Sequence, residues 1–180
     1  MTQSVMTADE LLRLEMPGKC MELVRGQLLV REPPGFLHGR VAQNLARLIG
    51  NHVHERQLGL VLAAETGFKL AANPDTVRAP DVAFVSNERV PHPAPAGYAA
   101  LAPDLVVEVL SPDDRPGYVL AKVGDWLIAG ARLAWVVDPR KRTARVFRAD
   151  GTDAGIDEDD TLDGEDVLPD FTVKLRAILS

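Results

Sequence analysis

Cysteine is almost absent: Cys20 is the only one in 180 residues. A single thiol allows no internal disulfide and no cysteine-rich zinc site, and it fits a reducing, cytoplasmic setting. Long apolar runs are also missing, and nothing approaches the roughly 20 residues of a membrane span. The opening MTQSVMTADELL has no basic region ahead of an apolar core, so it is not expected to act as a secretory signal. No P-loop, dinucleotide-binding glycine fingerprint, nucleophile elbow or zinc-protease helix occurs. What remains is a chain with 46% hydrophobic and 26% charged residues, ordinary for one soluble globular domain.

Positive charge is missing from one long stretch. Asp150 to Asp170 holds ten acidic residues and no Lys or Arg. The whole chain carries -6, but without this stretch 16 acidic residues face 20 basic ones, a balance of +4. A field that attracts phosphates is local, so the total charge does not exclude nucleic acid as a partner. The stretch itself reads as a solvated acidic loop over 150–170.

Local patterns predict the elements. TADELLRL opens with a capping box, Thr7 with Glu10, and predicts a short helix before Pro17-Gly18. CMELVRGQLLVRE predicts a hairpin around Gly26. Val41, Leu45 and Leu48, followed by His52 or Val53, form the apolar stripe of a helix that ends near Gly59. LGLVLAAETGFKL reads as one strand kinked at Gly67, and RAPDVAFVS as another with Asp81 at its start. Val90 to Ala102 is a Pro- and Ala-rich loop long enough to serve as a mobile flap. RPGYVLAKVGDWLIAGA predicts a helix with Pro116 in its first turn and Gly130 at its end. Its apolar stripe is expected to be Leu120, Val123, Leu127 and Ala131. RLAWVVD and TARVFRA are strands joined by the basic turn PRKR, Pro139 to Arg142. The fold class that follows is α/β: one domain over 1–180 with a core at about 20–148, and a mixed sheet flanked by helices.

DLVVEVLSPDD poses the chemical question. Val106, Glu108 and Leu110 share one strand face, and Leu105, Val107 and Val109 share the other. Both faces are otherwise apolar, as in a central strand covered on both sides. A buried, unpaired carboxylate costs several kcal/mol. Glu108 therefore needs a basic partner, a metal ion or a watered cleft. Asp81 is a second acid on a strand of the same sheet; it either caps the turn after Pro80 or meets Glu108. Two such acids repel unless a cation or a proton lies between them, and magnesium suits an oxygen site. Lys122 is either a surface lysine paired with Asp125 or Asp114, or a side chain directed to the sheet end. Glu22, His38 and Glu65 are further candidates. His52 and His54, two apart on a helix, do not share a face and predict no metal site.

The series MELVRGQL, HGRVAQNLARL, RAPDVAFV, PDLVVEVLSPDD, AKVGDWLIAGARLAWVVDP and DGEDVLPDF resembles the Uma-two family of restriction endonuclease-like proteins. That family lies within the PD-(D/E)XK nuclease superfamily. The resemblance covers the chain from about Thr7 to its end. It implies a mixed sheet flanked by helices and a magnesium-dependent endonuclease acting on DNA, with manganese as a possible substitute. Asp81 and Glu108 match the two metal-binding acids. The usual lysine position two residues after the second acid is Leu110 here, and the matching lysine is Lys122 on the following helix. Glu22 and His38 match an acid and a histidine common in the family. Tyr118 stands where an Asp is usual. A catalytically inactive nucleic-acid-binding or assembly module would keep the same features. Other expectations are nucleic-acid contact by Arg140, Lys141 and Arg142, no membrane association, and a homodimer by analogy with nucleases that cut both strands.

Overall fold

The computed structural model describes residues 5–180; the first four residues of the opening stretch lie outside it. The chain begins with α1 (Ala8–Arg13), closed by the Thr7–Glu10 capping box in both directions. The hairpin β1 (Cys20–Val24) and β2 (Gln27–Arg31) follows. Arg25 and Gly26 both have positive φ, the geometry of a tight hairpin turn. Next comes the long α2 (Phe36–Arg56), then β3 (Gly59–Leu62), β4 (Phe68–Ala71), β5 (Thr76–Arg78) and β6 (Val82–Ser86). After a loop come β7 (Leu105–Val109), α3 (Pro116–Ile128), β8 (Leu133–Asp138) and β9 (Thr143–Arg148). The chain closes with β10 (Asp153–Asp157), β11 (Thr161–Asp163), β12 (Thr172–Lys174) and α4 (Leu175–Leu179).

The central sheet has the order β10-β9-β8-β7-β6-β3. Only β7 and β8 run parallel, and α3 is the crossover that joins them. The mixed sheet flanked by helices is therefore as predicted. One face of β7 (Leu105, Val107, Val109) packs with Val41, Leu45, Ile49 and Val53 of α2. Val106 on the other face packs with Val123 and Trp126 of α3. The two-sided cover inferred for the Glu108 strand is thus present.

Several expectations need correction. LGLVLAAETGFKL is not one kinked strand. It divides at Ala63 to Gly67 into β3, in the central sheet, and β4, in a separate four-stranded sheet of order β2-β1-β5-β4. The hairpin completes that second sheet, which a period-2 pattern does not reveal because it says nothing of which strands pair. The acidic stretch is not simply a loop. It contains β10 and β11, and Leu162, Val167 and Leu168 are buried among its carboxylates. The flap reading of Val90 to Ala102 also changes. Ala102 is buried, Arg89 donates to its carbonyl at 2.8 Å, and the amide of Lys69 donates to the carbonyl of Ala99 at 2.9 Å, so the end of the loop is tied down while 92–97 stay exposed. Finally, α3 buries Lys122, Val123 and Trp126, whereas Leu120 is half exposed.

Ile49 lies fully buried between α2 and the central sheet. Ile49→Ala should lower the unfolding free energy by about 2–5 kcal/mol, with an unchanged denaturant slope in urea titration. A loss well below 1 kcal/mol would mean that α2 does not pack on this face.

Candidate active site

The two sheets are joined by a three-residue link, Ala79-Pro80-Asp81, between β5 and β6. The candidate residues gather there. The β6–β7 register pairs Val82 with Val107, so one step outward Asp81 stands opposite Glu108 on the same sheet face. Asp81 uses Oδ2 to accept the amide of Val109 at 2.6 Å and to meet Nε2 of His38 at 3.2 Å. His38 comes from the first turn of α2, and its Nδ1 is buried without a partner.

Glu108 is buried and both its oxygens are engaged. Oε1 accepts the indole N–H of Trp126 at 2.9 Å, and Oε2 accepts the ammonium of Lys122 at 2.8 Å. Lys122 is equally buried. Its three N–H groups meet three acceptors: Glu108, Oε1 of Glu22 at 2.9 Å and the carbonyl of Ala79 at 3.0 Å. The surface pairing with Asp125 or Asp114 is therefore replaced. Asp125 binds Arg78 instead, at 2.6 Å, and Asp114 binds Arg31. Lys122 points inward because α3 follows β7 directly and its stem runs over the apolar face that Val123 and Trp126 share.

Glu22 on β1 completes the cluster. It accepts the amide of Ala79 at 2.9 Å, Arg78 at 2.8 Å and the hydroxyl of Tyr118 at 3.1 Å. Glu22 and Lys122 thus hold the two peptide groups of Ala79, one the N–H and the other the C=O. Asp81, Glu108, Lys122, Glu22 and His38 all line one cleft of about 430 Å³. Glu65 lines it as well, bonded to the Cys20 thiol. Arg140, Lys141 and Arg142 do not line it. Lys141 pairs with Asp138 at 3.8 Å and Arg142 with Glu158. His52 bonds to the Pro169 carbonyl and packs edge-on against Phe171, away from His54.

Arg78 and Trp126 are the partners that sequence reasoning missed; Tyr118, noted there only as a departure from the usual Asp, donates to Glu22. Trp126 lies four residues after Lys122, which puts both on one helix face; that spacing could have marked it. Arg78, three residues before Asp81, gave no such signal.

The electrostatics separate the carboxylates. Burial is the largest influence on Glu108 and pushes it up to about 7; Asp81 and Glu22 add to the rise and Lys122 opposes it. Burial also opposes ionisation of Glu22, but Lys122 and Arg78 outweigh it and hold the group down to about 2. Burial works against the Lys122 charge as well, yet Glu108 and Glu22 raise it above the ordinary lysine range. His38 is likewise raised: burial opposes its charge, and the bond to Asp81 prevails. The Cys20 thiol is pushed up to about 11 by burial and by Glu65, so it is no ready nucleophile.

Lys122→Met keeps the stem and leaves two buried carboxylates without their ammonium. It should cost about 3–5 kcal/mol in urea unfolding. A second test uses pH. Folded Glu108 keeps its proton up to about 7, whereas an ordinary glutamate loses it near 4.5. Between those values the folded state binds the extra proton, so the Glu108 contribution to stability falls as pH rises. Glu22 acts in the opposite sense: its contribution is present above 4.5 and is lost as pH falls toward 2. Glu108→Gln should therefore flatten the decline in stability from about pH 5 to about pH 7. A slope equal to that of the wild type would assign the decline to another group.

Comparison with known proteins agrees with the fold. The fold matches a solved structure described as "a putative nuclease belonging to DUF820 from Anabaena variabilis ATCC 29413". The TM-score is 0.85 at 20% identity, over 97% of each chain. No curated protein matches the sequence. The family model described as "Putative restriction endonuclease" matches residues 8–177. With nearly its whole length matched, the chain belongs to the Uma-two family of restriction endonuclease-like proteins.

Proposed function

We propose that this chain is a metal-dependent endonuclease that hydrolyses DNA phosphodiester bonds, with magnesium as the resident ion and manganese as a substitute. The observation that carries this reading is the placement of Asp81 opposite Glu108 in the lining of one cleft, with the Lys122 ammonium on Glu108. The donor set suits a hard cation. Both bonds of Asp81 fall on Oδ2. Among the described residues no three His, Cys, Asp or Glu side chains converge as a metal group. Asp81 and Glu108 would thus supply two oxygens and water the rest, a pattern magnesium favours. Acids outnumber bases in the cluster: Glu22, Asp81, Glu108 and Asp125 face Arg78, Lys122 and His38. A cation held there would favour the ionised form of Glu108.

When bound, the ion would acidify a water and polarise the phosphate. The protein groups do the rest. Lys122 orients the attacking water or offsets charge on the phosphoryl oxygens, once it exchanges one of its three present bonds. Glu22 stays satisfied during that exchange, because Arg78, Tyr118 and the Ala79 amide still donate to it. His38 holds Asp81 in place through Oδ2. Water attack forms one P–O bond as the bond to the leaving oxygen breaks. A reducing cytoplasm and a homodimer that presents two clefts to two strands complete the proposal.

A second reading rests on the same lysine. With all three N–H groups taken, the cluster also resembles a purely structural ion network, as in a non-catalytic nucleic-acid-binding or assembly module. Cleavage of plasmid and branched DNA with magnesium or manganese separates the two. The nuclease reading expects cleavage that EDTA and Asp81→Ala both abolish. It also expects Lys122→Ala to lose cleavage while keeping the ion, with Lys122→Arg failing to restore full rate, since a planar guanidinium does not mimic a compact ammonium. No cleavage by the folded wild type on any substrate, with DNA binding retained, would favour the binding module.

A further inference from the structure

The cleft that carries the proposed chemistry is rich in acid, and its substrate would be a polyanion. Asp81, Glu108, Glu22, Glu65, Asp114 and Glu32 all line it. Its cationic residues are Lys19, Arg31, His38 and Lys122. The side chains of His38 and Lys122 are only 10% and 9% exposed and are committed to carboxylates. Lys19 and Arg31, at 34% and 38%, are the cations that solvent reaches.

Of these two, Arg31 is the one built into place. It ends β2, where the register sets it opposite Cys20 and puts Leu29 opposite Glu22. Arg31 therefore shares the hairpin face of Glu22 and Cys20, the face that looks onto the cleft. One guanidinium nitrogen binds Asp114. Asp114 is itself only 8% exposed and is fixed by the amide of Ser111 at 2.7 Å. The guanidinium carbon lies 5.1 Å from the centre of the Tyr118 ring. A guanidinium carries five N–H donors and only one of its nitrogens bonds Asp114, so Arg31 is held in place with donors to spare. Lys19, by contrast, pairs with Glu32, whose side chain is 78% exposed.

We propose that Arg31, seated on Tyr118 and anchored by Asp114, is the phosphate-binding arm of this cleft, and that it grips a backbone phosphate flanking the scissile one. The proposal rests on the nuclease reading above. Its position follows from Tyr118, whose hydroxyl reaches Glu22 at 3.1 Å while its ring carries Arg31. The guanidinium thus stands one ring away from the Lys122 cluster, beside the reacting centre and outside it. A fork of N–H donors suits two phosphate oxygens at once.

The test is binding of fluorescein-labelled single-stranded and duplex DNA by anisotropy in EDTA, where no cleavage occurs, across a salt series. Arg31→Ala should weaken binding roughly tenfold and reduce the slope of log affinity against log salt by about one. Arg31→Lys should recover part of the affinity, since charge returns without the fork. Arg56→Ala, which removes a cation paired with Asp170, should change nothing. With magnesium present, Arg31→Ala should raise KM far more than it lowers kcat. If the alanine variant does not fold, Arg31→Gln, which retains most of the stem and a donor for Asp114, takes its place with the same expectation. A folded Arg31 variant that binds as tightly as the wild type, with the same salt slope, overturns the assignment and leaves the nuclease reading standing. Wild type that binds neither DNA in EDTA and cleaves neither with magnesium or manganese overturns both.

Discussion

A buried ammonium organises this protein. Lys122 carries its charge into the junction of two sheets and meets two carboxylates and a carbonyl there. An ammonium in that setting is costly unless every N–H finds an acceptor, and a carboxylate in a Val-rich strand is costly unless a donor reaches it. Each group makes the other tolerable. The same bonds reach the backbone: Glu22 and Lys122 hold both peptide groups of Ala79, the residue that leads one sheet into the other. The ion cluster is therefore the clasp between the sheets as well as the candidate centre of chemistry.

That double role places the remaining groups. Because Ala79 is held by both its N–H and its C=O, Asp81 leads into β6 in register opposite Glu108. Because Trp126 follows Lys122 by one helical turn, the helix that delivers the ammonium also delivers the second donor to Glu108. Arg78 lies almost fully buried and ties Glu22 to Asp125 of α3, so the helix, the hairpin and the sheet link share one network. A change at any member is felt by the others, since low-dielectric surroundings strengthen each contact and penalise each vacancy.

The electrostatic contrast between Glu22 and Glu108 follows from their partners. Glu22 has two cations and an amide, and stays ionised. Glu108 is buried in an apolar strand, shares its one cation with Glu22 and faces Asp81, so its proton is held to near neutrality. A divalent ion beside Asp81 would shift that balance and favour the charged form of Glu108. This makes the site responsive to what enters the cleft.

By itself the sequence determined the local elements and the anomaly. Capping by Thr7 and Glu10, the Gly26 turn, the α2 stripe and the two apolar faces around Glu108 are short-range consequences of side-chain type and period, so they can be read from neighbouring residues. The demand that Glu108 have a partner is equally local, because burial of a carboxylate is costly wherever the chain goes. Which partner answers it was decided only by tertiary structure. Lys122 departs from the apolar periodicity of its helix, and Leu120, which obeys it, is half exposed. Arg78 and Glu22 are 56 residues apart in the chain. The division of one apolar run into strands of two sheets, and the folding of an acid-rich segment into β10 and β11, likewise depend on pairing across long separations. Periodicity reports which face of a segment is apolar. It does not report what lies against that face, and the ion network depends on exactly that.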